Sequence, residues 1–257
     1  ALVAEVRPDV VYHLAGQADV AASWLSPIET MRVNVEGTHN ILEAARTFGV
    51  PKVLTVSSAD IYGVVTPEEL PIVESAPLRP VSPYAVSKAA ADLVALQAHL
   101  GHGQDVVRAR AFNHLGPGQS RSFVGAGFAA RIVAGERSGD DRLRTGDLTP
   151  RRDFTDVRDV VGAYRLLGTE GRPGVAYNVC SGTSVSIGEL AGLLLSLADA
   201  SMRLVEDPDL LRPVELPELR GDASLLRRHT GWAPSISLDE TLSDVLEDWR
   251  LRLAEAQ

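Results

Sequence analysis

Short apolar runs alternate along this chain with longer stretches in which apolar residues recur at helical spacing. Val10 to Leu14, Lys52 to Val56, Asp105 to Ala111, Val175 to Val179 and Met202 to Glu206 have the length and residue types of strands, and Arg142 to Asp147 reads as a strand and turn. Lys52 to Val56 lies between Pro51 and polar residues, which predicts a buried strand whose carboxyl end presents Ser57 and Ser58. Helical spacing predicts helices over Ile28 to Phe48, Ala85 to Leu100, Asp156 to Leu167, Ile187 to Ala198, Ala223 to Thr230 and Leu238 to Ala254, while Ala1 to Val6 reads as the end of another. Ser82 is placed to cap the Ala85 helix, with Pro83 at its first position and Gly101 as its stop. Asp60 to Pro80 and Asn113 to Gln119 are rich in proline or glycine and read as loops.

Composition sets limits. A chain of 257 residues, 45% hydrophobic and 23% charged, is ordinary for a globular protein of one or two domains. A formal charge of −9 points away from a nucleic-acid partner. Every apolar stretch is broken before the roughly 18 residues of a membrane span, and nothing at the start reads as a signal peptide. Cys180 is the single cysteine, so an internal disulfide and a cysteine metal cluster are both excluded; a cytoplasmic protein without a metal is the expectation.

The candidate chemistry lies between Ser57 and Lys88. In a helix starting at Pro83, Tyr84 and Lys88 are i, i+4 neighbours on one face. Lys52 and Lys88 are the only lysines, so a chance Tyr-x-x-x-Lys pairing has a probability of about 0.04. An ammonium about 4 Å from a phenol is worth roughly 4 kcal/mol at an effective dielectric of about 20. That would lower the tyrosine pKa from about 10 towards neutrality, where it can exchange a proton with a carbinol oxygen held by Ser58. Asn34 and Gly37 interrupt an otherwise amphipathic helix, which points to close packing or a functional contact as well as to simple exposure. Asp60 fits a turn residue and a catalytic carboxylate equally well.

With His13-Leu14-Ala15-Gly16 upstream, Ser58, Tyr84 and Lys88 resemble the extended short-chain dehydrogenase/reductase family, the NAD(P)-dependent nucleotide-sugar epimerases, dehydratases and reductases. The likeness runs over essentially the whole chain. Phe112 to Gln119, Arg152 to Asp159 and Leu211 to Glu215 look most like the GDP-sugar branch, its GDP-4-keto-6-deoxy-D-mannose reductases first and its GDP-mannose 4,6-dehydratases next.

The resemblance implies an α/β fold: a doubly wound, Rossmann-type, mainly parallel sheet over residues 1–111, and a smaller α/β nucleotide-sugar-binding domain over 112–257, with a segment near 154–180 returning to the main sheet. It implies NADP or NAD held by Leu14, Ala15, Gly16, Asn34, Ser57, Tyr84, Lys88 and His114. It assigns Asn34 to an active-site water and hydrogen-bond network. For the GDP-sugar it implies Gln17, Asn113, Gln119, Phe123, Val124, Arg152, Arg212 and Glu215, the arginines gripping the diphosphate, with Arg151 solvated. Ser58, Tyr84 and Lys88 would be catalytic, with Asp60 a further candidate: the dehydratases carry a glutamate at that position. Such enzymes place a glycine loop on their first strand. None precedes Val10, and Gly116-Pro117-Gly118 and Gly125-Ala126-Gly127 come too late, so a fragment lacking roughly two or three β-α units is expected. The expected reaction is NAD(P)H-dependent reduction of a GDP-4-keto-6-deoxyhexose at C4. Alternatives are a GDP-mannose 4,6-dehydratase, another nucleotide-sugar epimerase or dehydratase, or a non-catalytic nucleotide-sugar-binding remnant. A homodimer joined by the helices Ile28 to Phe48 and Pro83 to Gly101 is the expected assembly.

Overall fold

The computed structural model describes residues 2–211 and 216–255. In chain order, the first half runs α1 (Leu2–Val6), β1 (Val10–His13), α2 (Val20–Leu25), α3 (Pro27–Met31), a π-helical turn (Arg32–Glu36), α4 (Gly37–Thr47), β2 (Lys52–Ser58), α5 (Pro83–His102) and β3 (Val106–Ala111). There follow β4 (Asn113–Leu115), α6 (Val124–Ser138), β5 (Arg142–Thr145), β6 (Arg151–Arg152), β7 (Phe154–Asp156), α7 (Val157–Glu170) and β8 (Ala176–Val179). The chain closes with β9 (Val185–Ser186), α8 (Ile187–Ser196), β10 (Arg203–Glu206), β11 (Glu218–Leu219), α9 (Ser224–Thr230) and α10 (Leu238–Glu255).

The main sheet has the order β1-β2-β3-β8 and every pairing in it is parallel. Alternation along β3 sorts its two faces. Val106 joins Leu42, Ala45, Val53, Ala95 and Ala98 beneath α4 and α5, whereas Val107, Ala109 and Ala111 join Val160, Ala163 and Leu167 of α7. A sheet buried on both faces by helices is what its near-continuous apolar strands require. A second core gathers Phe128, Ile132, Leu190, Leu194, Leu242, Val245 and Leu246 of α6, α8 and α10 against Leu143 and Phe154. No helix among the described residues is long and apolar enough to cross a membrane.

Four expectations need correction. The helix over Ile28 to Phe48 is interrupted by the π turn, whose closing bond runs from the Gly37 N–H to the Arg32 carbonyl, and the inserted residue turns Asn34 inward. Gly101 lies inside α5; the helix ends two residues later, where Gly103 takes the left-handed conformation at φ 68°. Asn113 to Leu115 is a strand, paired in parallel with β7, because the chain leaving β3 finds a partner there. Arg151 is tied down by bonds to Ser184 and an ion pair with Glu189.

Candidate active site

The carboxyl ends of β1 and β2 meet the start of α5, the place where open parallel sheets bind ligands. Ser58 ends β2 and caps the 3-10 turn Ala59–Tyr62, accepting the Asp60 N–H at 3.2 Å. Ser82 caps α5 by accepting the Ala85 N–H at 3.1 Å, and Pro83 supplies the first helical residue, which fixes Tyr84 in the first turn. The Tyr84 hydroxyl hydrogen-bonds Ser58, with the Asp60 carboxylate close enough to act on it. Ser57, Ser58, Asp60, Tyr84 and Lys88 therefore form one cluster, with the Ser57 hydroxyl donating to the Lys88 carbonyl at 3.1 Å.

The electrostatics differ from the expectation for Tyr84. Burial lifts its pKa well above the ordinary phenol value, the Asp60 carboxylate adds to the rise, and the Ser58 hydrogen bond opposes it only in part. Lys88 does not offset this: its ammonium points to the Val56 carbonyl, 2.8 Å away. At neutral pH Tyr84 thus holds its proton, as a proton donor must. Burial also pulls Lys88 down to about 8. The unfolded chain keeps this proton to about 10.5, the folded chain only to about 8, so stability rises with pH between the two values. Lys88→Met should therefore raise the stability of the ligand-free chain at pH 7. The relieved cost is about 3 kcal/mol, less about 1 for the lost Val56 bond. Urea melts at rising pH should show the gain shrinking above pH 8.

Gly16 belongs to the same site. A Cβ on it would stand 2.8 Å from Asn34 Oδ1 and 3.7 Å from Lys88 Nζ. Asn34 is buried, and its amide is engaged on three sides: Oδ1 accepts the Gln17 N–H at 2.8 Å, while Nδ2 donates to the Gln17 carbonyl at 3.0 Å and to Ser87 Oγ at 2.8 Å. It acts as a clamp between the end of β1 and α5. Thr38 Oγ1 donates to the Asn34 carbonyl, so His13 Nε2 is the donor to Thr38 Oγ1. Burial and, to a lesser extent, Lys88 depress the His13 pKa and keep the ring neutral.

The remaining candidates are placed as follows. Leu14 and Ala15 are exposed beside Gly16. His114 on β4 is bonded to the Phe112 carbonyl through Nδ1, and burial lowers its pKa; Asn113 beside it is half-buried. The Gln119 amide donates to the His114 carbonyl at 2.9 Å. The side-chain oxygens of Gln17 and Gln119 are buried without a partner among the described residues. Phe123, exposed, precedes α6, and Val124 opens it against the second core. Arg152 is buried on β6 and donates to the carbonyls of Arg151 and Leu216 at 2.8 and 2.7 Å. Arg212 and Glu215 lie outside the described residues.

Two residues escaped sequence reasoning. Ser87, one turn past Tyr84, joins α5 to Asn34; its signal is a small polar residue inside an apolar helix. Asp153 is fully buried and accepts from the backbone N–H groups of Ser181, Gly182 and Gly221, joining three loops. Burial raises its pKa in spite of those bonds.

The cluster fits a nicotinamide cofactor. The bare Gly16 leaves room for close approach, and the Lys88 ammonium, with a carbonyl and no acidic partner among the described residues, keeps donors for ribose hydroxyls. Comparison with known proteins gives the same direction. A family profile described as GDP-mannose 4,6 dehydratase matches residues 1–245. GDP-6-deoxy-D-mannose reductase of Pseudomonas aeruginosa is 43% identical over 251 residues, 96% of this chain and 82% of that protein. GDP-mannose 4,6-dehydratase of Vibrio cholerae is 29% identical over 95% of this chain and 74% of that protein. Among solved structures, RMD from Pseudomonas aeruginosa complexed with NADPH matches with a TM-score of 0.90 at 41% identity, covering 95% of this chain and 82% of that one. The chain belongs to the GDP-mannose 4,6-dehydratase family of NAD(P)-dependent nucleotide-sugar enzymes.

Proposed function

We propose that this chain reduces a GDP-4-keto-6-deoxyhexose at C4. The observation that carries this reading is the protonated Tyr84 hydroxyl on Ser58, in a chain 43% identical to a GDP-6-deoxy-D-mannose reductase. When bound, NADPH or NADH supplies a hydride to C4. Ser58 holds the keto oxygen, and Tyr84 Oη gives its proton to that oxygen as it becomes a hydroxyl. Lys88, its ammonium bonded to the Val56 carbonyl, turns its remaining donors to the nicotinamide ribose. Leu14, Ala15, Gly16 and Ser57 line the cofactor side, and Asn34 keeps Gln17 in place. Asn113, Arg152 and Arg212 grip the diphosphate, Glu215 a ribose hydroxyl, and Phe123 and Val124 cover the nucleoside. The side-chain oxygens of Gln17 and Gln119, buried without a partner among the described residues, support contact with a polar ligand. Residues 112–257 make up most of this substrate half.

NADPH oxidation dependent on GDP-4-keto-6-deoxymannose is the direct test; none at any enzyme concentration would refute the reading. The Asp60 carboxylate beside Tyr84 favours a second reading, dehydration of GDP-mannose. Asp60→Asn separates the two: it should leave reduction within a few-fold, whereas dehydration would be abolished. The aspartate is one methylene shorter than the dehydratase glutamate, and misplacement by about 1 Å costs about a hundredfold in rate.

A cytoplasmic homodimer is part of the same proposal. Val86, Leu93 and Leu100 recur every seven residues along α5 and are all exposed, a stripe suited to a second copy. Light scattering and cell fractionation check assembly and location.

A further inference from the structure

We infer that Arg131 reads the base of the bound nucleotide, its two terminal nitrogens taking the O6 and N7 acceptors of a guanine. This rests on the reading of the chain as a GDP-sugar enzyme and supplies what that reading lacks, a residue that distinguishes the base.

Arg131 lies on α6, the helix opened by Phe123 and Val124. Arg142, Arg144, Arg250 and Arg252, on the elements packed around this helix, each have a carboxylate partner. Arg131 has neither an ion pair nor a hydrogen bond among the described residues, although it is half-buried and its Nε is sealed from solvent. Burial depresses its pKa, and no carboxylate among the described residues offsets it. A guanidinium left in that state is a binding group without its ligand.

Its setting gives the ligand's chemistry. The guanidinium carbon sits 5.2 Å from the centre of the Phe128 ring, which braces the fork. Phe123, Gly127 and Arg131 fall on one stripe of the helix at four-residue spacing. The Gly127 N–H bonds the Phe123 carbonyl at 2.7 Å, and a Cβ on Gly127 would lie 3.7 Å from Arg131 Nη1 and 2.7 Å from the Arg121 carbonyl. Gly127 is thus demanded by the Arg121 carbonyl, and the fork lies alongside it, back along the helix from Arg131. The described diphosphate candidates stand on β4 and β6, whereas Arg131 lies two turns along α6, the helix whose first residues cover the nucleoside in the proposed reading. Guanine offers two adjacent acceptors to a guanidinium; adenine places a donor beside its N7, and a pyrimidine flanks its carbonyls with an N–H.

Titration calorimetry of the full chain and Arg131→Met with GDP, 7-deaza-GDP, UDP and inorganic pyrophosphate tests this. Arg131→Met should weaken GDP about 10- to 100-fold and leave UDP and pyrophosphate within about twofold. Replacing N7 should cost the wild type about tenfold and the variant nothing. Arg131→Lys keeps the charge without the fork and should lose most of the preference for GDP over UDP, which decides the matter if the methionine variant does not fold. Unchanged GDP affinity, or an equal loss for pyrophosphate, overturns base recognition and leaves the reductase reading standing. A wild-type chain that binds no GDP overturns both.

Discussion

Tyr84→Phe is expected to lose at least about a thousandfold in kcat for the reductive half-reaction while binding GDP as the wild type does. The hydroxyl is protonated at neutral pH and bonded to the serine that would hold the keto oxygen. Its removal leaves Ser58 still accepting the Asp60 N–H, so the fold should lose no more than about 1.5 kcal/mol. The two effects separate chemistry from structure. Because burial and Asp60 hold the phenol above its ordinary pKa, the acid persists across the neutral range. Any fall in wild-type rate near pH 8 belongs instead to Lys88, which loses its charge there. Single-turnover NADPH oxidation at several pH values checks both parts. A Tyr84→Phe rate above a tenth of the wild type, with the same pH profile, would move the proton donor to Ser58 or to water.

The same pair shows what the sequence carries and what it hides. Spacing suffices for an i, i+4 Tyr–Lys pair at the end of a buried strand, because both depend on local rules of periodicity and capping. The sign of the tyrosine shift is set by neither. It follows from the depth of the hydroxyl, the side from which Asp60 approaches and the choice of Lys88 to face Val56, all fixed by packing between elements far apart in the chain. Asn34 is a similar case. Its polarity inside an amphipathic helix signals something unusual, yet only the π turn and the bonds to Gln17 and Ser87 reveal a clamp. Arg131 carries no local signal at all, since an arginine on a helix reads as solvated until the partners around it are counted.

Asp92→Ala should destabilise the chain by at least about 3–5 kcal/mol, a large share of the 5–15 kcal/mol typical of a folded domain. Arg108 and Arg110 project from the same face of β3, both nearly buried, towards Asp92 on α5, which is buried completely. Arg108 donates to its Oδ2 at 2.6 Å, while Arg110 donates to Oδ1 at 3.2 Å and to Oδ2 at 2.9 Å. One carboxylate thus compensates two guanidiniums. Arg110 also bonds the Tyr62 hydroxyl and the Glu74 carbonyl, and Tyr62 in turn donates to Asn178 on β8 at 2.7 Å. The network pins α5, and with it Tyr84 and Lys88, to the centre of the sheet. Without the carboxylate two cations remain in an apolar interior, where desolvation outweighs anything the surrounding carbonyls return. Removing one of them should recover part of the loss: Asp92→Ala with Arg108→Met should be more stable than Asp92→Ala alone, since among the described residues Arg108 has a second partner only in the Gly174 carbonyl and its Nε is already unsatisfied. Urea denaturation of the two single variants and the double variant measures the coupling. Strictly additive losses would mean that Asp92 holds the helix by packing and that the charges are compensated elsewhere.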